Sequence, residues 1–141
     1  MLECLIIGDS IGVGIHQYRQ ECVLQAQVGI NTRNWLYNEY PLLKAKKVII
    51  SLGSNENWFY PVNIALKALQ LNQQVANLDT VRKRYVGSQV YWVLPENNPT
   101  LKYRIKHLAS GYGDITLEIM NLSKDRVHPT GTEYKRLSTQ F

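Results

Sequence analysis

Cysteine, histidine and acidic residues are scarce in this chain, and it has no long apolar run. Each shortage excludes something. Two cysteines among 141 residues cannot form a dense disulfide scaffold. Cys4 and Cys22 fall near the starts of neighbouring predicted strands. A bond between them is geometrically open, but the expectation is two buried free thiols. The three histidines and the carboxylates show no metal-ligand spacing, so no metal and no cofactor are expected. No stretch approaches the ~18 apolar residues of a membrane span. "MLECLIIGDS" enters the first strand without a basic head or a small-residue cleavage site, which reads as cytoplasmic. Export, or excision from a longer protein, stays open. Repeats, low-complexity stretches and linkers are also missing, so residues 1–141 read as a single domain.

Acids are outnumbered, 11 against 16 Lys and Arg, which leaves a net charge of +5. Such a balance permits binding to an anionic polymer without implying it. The basic residues gather in "KAKK" (44–47) and "RKR" (82–84).

Five segments read as strands: "ECLIIG", "ECVLQAQVG", "KKVIISLG", "SQVYWVLP" and "DITLEI". Helical patterns separate them. The first connection, "SIGVGIHQYRQE", has room for a turn or two. "NTRNWLYNEYPLL" offers Asn31 or Thr32 as N-cap. Residues 61–85 carry Leu66, Leu69, Val75, Leu78 and Val81, but the spacing drifts at 71–74, which predicts two helices or a break. "NNPTLKYRIKHLASG" starts at Asn98 with Pro99 at N1 and is expected to end at Gly111. "HPTGTEYKRL" places a capping box on Thr130 and Glu133. Strands alternating with helices predict an α/β fold, a three-layer sandwich with helices on both faces of a parallel sheet.

Ligands of such sheets bind outside the carboxyl ends of the strands. Ser10 follows the first strand, Gly29 the second, Asn55 the third, and Asp125 with His128 the fifth. Together these are the parts of a serine acyl hydrolase. Ser10 is the candidate nucleophile. His128 is the candidate base, and Asp125 is placed to orient its imidazole. The Ser10 N–H, the Gly29 N–H and the Asn55 amide are candidate oxyanion donors. The buried-turn reading of Asp9 is structural, a carboxylate tying down the loop beneath Ser10. His16 and His107 are the competing histidines; His107 reads as a surface residue. Both basic clusters precede strands and fall at the opposite end, so no nucleic-acid partner is expected.

"GDSIG", an isolated glycine, "GSN" and "DRVHP", in that order, resemble the SGNH hydrolases, also called GDSL esterases and lipases. The likeness spans residues 5–129. It implies a five-stranded parallel sheet in the order 2-1-3-4-5 and puts the family's site on Ser10, Gly29, Asn55, Asp125 and His128. The third block commonly reads Gly-x-Asn-Asp; Glu56 stands at the acid here, which predicts a local structural difference without loss of activity.

The substrate is read from the side chains nearby. Asn57, Trp58 and Tyr60 offer amides beside aromatic platforms, as do Asn31, Arg33, Asn97 and Asn98, and Trp35 reads as core. That mixture suits a small acyl ester, foremost an acetyl group on a carbohydrate. A short-chain thioesterase or lysophospholipase of the same fold is the alternative, and so is a carbohydrate-binding module that has lost turnover. Oligomeric state is not legible.

Overall fold

The computed structural model describes residues 1–56 and 63–141. In chain order its elements are β1 (Leu2–Gly8), α1 (Ser10–His16), β2 (Val23–Ala26), α2 (Thr32–Tyr37), β3 (Ala45–Ser51), α3 (Ile64–Lys83), β4 (Gln89–Val93), α4 (Pro99–Tyr112), β5 (Ile115–Leu117) and α5 (Gly131–Ser138). The strands form one sheet in the order β2-β1-β3-β4-β5, and every pairing is parallel. The fold is the expected α/β sandwich.

Strand alternation decides which helices cover which face. Leu5, Ile7, Val48, Ile50, Val90 and Trp92 share a core with Trp35, Leu78, Val81, Leu101 and Ile105, from α2, α3 and α4. Cys4, Ile6, Ile49, Tyr91 and Val93 face the other way, onto Ile11, Ile15 and Leu137 from α1 and α5. Both faces are buried, so the central strands read as continuous apolar runs.

Four expectations need correction. The thiols of Cys4 and Cys22 are not free: they form a disulfide. Leu5 pairs with Val23 across β1 and β2, so the preceding residues are also neighbours, with Cα atoms 4.8 Å apart. Register made the bond; the sequence offered only proximity. Among the described residues, Cys4, Glu21 and Cys22 are the one group with metal-ligand chemistry, and its two sulfurs are bonded to each other.

The second correction is α3, which runs unbroken through 71–74. Its inward stripe is Leu71, Gln74, Leu78 and Val81, a regular helical spacing with a glutamine in an apolar slot. That polar residue imitated a change of phase. Leu66 and Leu69, read as part of the stripe, are exposed. The third is α4, which passes Gly111 and ends at Gly113. Gly113 takes φ +73°, and the following Asp114 N–H reaches Ala109 O at 2.9 Å, closing the helix as a left-handed cap does. Fourth, the capping box is half made. Thr130 Oγ1 accepts from Glu133 N at 3.2 Å, but the Glu133 carboxylate turns to the Met120 and Asn121 amides and to Arg136. It ties down the approach to the site instead of its own helix start.

The basic clusters lie at the amino ends of the strands. Arg82 is itself buried, in a two-bond pair with Asp114 at 2.7 and 2.9 Å.

Candidate active site

The stretch that opens the site folds as a strand, one extended residue and a helix. β1 ends at Gly8, Asp9 is the N-cap, and Ser10 is the first residue of α1. Asp9 Oδ1 accepts from Ile11 N at 3.0 Å, the usual work of an N-cap carboxylate. Ser10 therefore stands at a helix start, where backbone N–H groups lack intrahelical acceptors. Asp9 is fully buried, and burial pushes its carboxyl up to about 7 against the hydrogen bonds that favour its ionised form.

From the far end of the chain comes the turn 123–128. Asp125 Oδ1 collects Ser123 Oγ at 2.8 Å, Val127 N at 2.8 Å and His128 N at 2.9 Å. Its other oxygen, Oδ2, lies 2.6 Å from His128 Nδ1. The His128 side-chain bond, the two amides and the Ser123 hydroxyl hold Asp125 well below the usual carboxylate range. His128 Nε2 lies 2.8 Å from Ser10 Oγ. Asp125, His128 and Ser10 thus form one hydrogen-bonded chain, although 118 positions separate the serine from the histidine.

What brings α1 to this turn is a close packing of helices. A Cβ on Gly14 would sit 2.3 Å from the Tyr134 ring of α5, so only glycine lets that ring lie against α1. Tyr134 lies on α5, the helix that follows the turn bearing His128. Burial, with Asp9 and Asp125 nearby, pushes its phenol up to about 12, so it stays neutral.

Gly29 and Asn55 follow the carboxyl ends of β2 and β3, on the edge of the sheet where β1 gives way to Asp9 and Ser10. Gly29 is exposed, at φ +78°, and nothing lies within 4 Å of where its Cβ would be. Asn55 Nδ2 points at Asp9 Oδ2 and Ile30 O, at 3.4 and 3.3 Å. Both bonds are long. Glu56, at the position where an aspartate was the common residue, bonds to Thr32 N at 3.1 Å and to the Thr32 hydroxyl. This is the local difference expected there: the longer side chain laces the loop after β3 to the first residue of α2. Burial raises the Glu56 carboxyl.

The remaining candidates separate cleanly. Asn57, Trp58 and Tyr60 lie outside the described residues. Trp35 is core, its indole donating to Gln25 O at 2.9 Å. Asn98 caps α4, and Asn97 donates to Ser54 O at 2.9 Å. His16 contacts Cys22 O at 3.0 Å, away from Ser10, and His107 is exposed on α4. Sequence reading missed Ser123 and Tyr134. A hydroxyl two residues before the candidate acid, and a glycine spaced to receive a ring, were the available signals.

No protein-family model and no curated protein sequence matches this chain. Solved structures do. A carbohydrate esterase family 2 enzyme with a carbohydrate-binding domain, from Corynascus thermopiles (Myceliophthora fergusii), superposes with a TM-score of 0.65 at 16% identity, over 96% of this chain and 63% of its own. An acetyl xylan esterase from Butyrivibrio proteoclasticus gives 0.61 at 12%, over 98% and 61%. A protein from Bacteroides ovatus named as a GDSL-like lipase gives 0.67 at 14%, over 99% and 96%.

The chain has the SGNH hydrolase fold.

It spans about three-fifths of the length of the two carbohydrate esterases and nearly the whole of the GDSL-like protein. At these identities the SGNH likeness speaks for the fold. The chemistry must come from the side chains. An imidazole between a hydroxyl and an ionised carboxylate can take the hydroxyl proton and return it to a leaving group. Among the described residues, no helix is long and apolar enough to cross a membrane.

Proposed function

We propose that this protein is a serine ester hydrolase that removes short acyl groups, foremost acetyl, from a carbohydrate. The observation that carries the proposal is the chain Ser10–His128–Asp125, with links of 2.8 and 2.6 Å. Asp125 fixes the tautomer in which Nδ1 carries the proton, leaving the Nε2 lone pair toward Ser10. As Ser10 Oγ attacks the ester carbonyl, its proton passes to Nε2. The carbonyl electrons move onto oxygen, which the Ser10 and Gly29 N–H groups and Asn55 Nδ2 receive. The long Asn55 bonds to Asp9 and Ile30 exchange for a shorter one to the charged oxygen. The tetrahedral intermediate then collapses: the bond from the acyl carbon to the sugar oxygen breaks, His128 gives its proton to that oxygen so that it leaves as a hydroxyl, and the acyl group remains on Ser10. Water repeats the sequence: His128 takes its proton, the acid leaves, and Ser10 regains its hydrogen.

Support for a carbohydrate comes from the polar surroundings of Asn55 and from the names of two of the similar structures. The Cys4–Cys22 bond favours an oxidising compartment over the cytoplasm read from the sequence, and alkylation of the freshly isolated protein without reductant tests that choice. The function itself is tested by a fluorophosphonate probe, expected to label Ser10 and to fail on Ser10→Ala. A series of p-nitrophenyl esters from acetyl to decanoyl should peak at acetyl or propionyl. A peak at octanoyl or beyond would replace the carbohydrate ester with a lipid or thioester. No labelling of Ser10 would leave a binding module.

A further inference from the structure

Gln74 is hard to explain as a structural residue. It occupies a core-facing slot of α3 between Leu71 and Leu78, and it is 6% exposed. Its Oε1 is buried and has no hydrogen-bond partner among the described residues. A buried acceptor left unpaired is costly, and most such groups in folded proteins have partners. Methionine or leucine would fill the slot without that penalty.

Gln74 lies at the wall of a groove of about 230 Å³ between α2 and α3. Asn31, Arg33, Glu56, Gln73 and Asn77 also line it. Its inner end is Asn31 and Glu56, chain neighbours of Ile30 and Asn55 at the candidate oxyanion site. A second hollow of about 330 Å³ shares Arg33, Gln73 and Asn77 and extends to Tyr37. The two form one trough along α2, open to solvent. Tyr37 at its outer end is 68% exposed, with the Arg33 guanidinium 5.5 Å from its ring centre.

The lining has a chemical signature. Carboxamides present a donor and an acceptor side by side, which matches a hydroxyl that both gives and receives. Gln73 Nε2 already donates to Asn77 Oδ1 at 3.1 Å, which fixes that pair and leaves Gln73 Oε1 and Asn77 Nδ2 for a ligand. Asn31 Oδ1 is held by Asn34 N at 2.8 Å, so its amide nitrogen is oriented too. The groove is poor in apolar side chains until Tyr37, which rules against an acyl chain. From Asn31 to Tyr37 the axis of α2 covers about 9 Å, more than a single sugar ring needs.

We infer that this trough is a glycan subsite: it binds the sugar chain that carries the ester, with Gln74, Gln73 and Asn77 reading hydroxyls and Tyr37 stacking on a ring at the far end. The inference rests on the proposed ester hydrolysis for its purpose but not for its measurement. Gln73→Ala and Gln74→Met are the test variants, because Gln73 is exposed and methionine is close to glutamine in shape. Substrates are acetylated xylo-, manno- and cello-tetraose, with p-nitrophenyl acetate as the ester that cannot reach the trough. At least one acetylated tetraose should lose about 10-fold or more in kcat/KM through KM in each variant, the size expected from a lost hydrogen bond of ~1.4 kcal/mol. p-Nitrophenyl acetate should be unaffected. Equal losses on both kinds of ester, or none on any tetraose, would overturn the inference.

Calorimetric titration of Ser10→Ala with the three unesterified tetraoses separates it from the hydrolase reading. Binding that weakens when Gln73→Ala or Gln74→Met is added supports the subsite even if Ser10 proves inert. Absence of binding by all three overturns it even if Ser10 proves active. Thermal melting is the second control. Gln74→Met should hold or raise Tm, and a fall of more than about 4 °C would show that Oε1 has a partner inside the protein and remove the argument.

Discussion

The two sides of the site are built differently. On the α1 and α5 side every polar atom that matters is taken: Asp125 accepts four bonds of 2.6 to 2.9 Å, and His128 is held at both ring nitrogens. On the α2 and α3 side the bonds are long or missing. Asn55 Nδ2 sits 3.3 and 3.4 Å from its partners, Gly29 has nothing within 4 Å of where its Cβ would be, and Gln74 Oε1 has no partner among the described residues. A group that must move a proton along a fixed line benefits from saturation, because any slack lengthens the transfer. A group that must receive an incoming ligand benefits from the opposite. On the proposed function, the first half is set before substrate arrives and the second is finished by it.

The largest effects should come from the saturated half. Ser10→Ala and His128→Ala are each expected to lower kcat on p-nitrophenyl acetate by about 10⁴-fold, with the double variant no worse than the poorer single one. Retention of a tenth of the activity by either would end the contrast, since the tight chain would then have no chemical role. Asn55→Ala is expected to lower kcat by about 10²- to 10³-fold with KM little changed. A rise in KM alone would place Asn55 with the ground-state contacts of the open half.

Next comes the disulfide, which binds β1 to the residue before β2. Removing both sulfurs by Cys4→Ser with Cys22→Ser should cost about 3 kcal/mol, the loop-closure value for a span of this length, and about 10 °C in Tm. Activity at room temperature should persist, because Ser10 is positioned by Asp9 and Gly14 and not by the sulfurs. Loss of activity in the folded variant would show that the rigid half depends on this link.

The smallest effect is at the seam, where Asp9 caps α1 and receives the weak Asn55 bond. Its carboxyl is raised from 3.8 to about 7. A raised acid contributes stability that is complete below pH 4 and is lost as pH rises through about 7, because the folded state holds the proton more tightly than the unfolded chain. Asp9→Asn keeps the cap and removes the titration. The Tm of the variant minus that of the parent should therefore be larger at pH 8 than at pH 5. A difference independent of pH would show that Asp9 is ionised throughout.

The Ser10–His128–Asp125 chain was legible in the sequence. The alternation of strands and helices, the position of Ser10, and the spacing of Asp125 to His128 all follow from local patterns, and a three-residue spacing on a turn leaves little freedom; the order of the strands in the sheet came from the family resemblance alone. Gly29 and Asn55 could be placed at strand ends for the same reason. What was not legible, on either side, is what depends on register and burial. Gln74 read as a flaw in a helix until the helix was seen to be continuous. Cys4 and Cys22 read as separate thiols until Leu5 was seen opposite Val23. Glu133 read as half of a capping box until its carboxylate was found on the backbone at 120–121. In each case the residue type was visible and its partner was not.

The seat of Tyr134 against Gly14 has a consequence for how the protein is made. Ser10 leaves the ribosome early, while His128 and the helix that closes over α1 follow it by 118 positions and more. Domains take shape while synthesis proceeds, yet Ile11 and Ile15 share their core with Leu137, which arrives later still. Until then α1 has Ser10 without its His128 partner and its apolar side without a cover. On the proposed chemistry Ser10 is silent until then, and the apolar side of α1 is covered last.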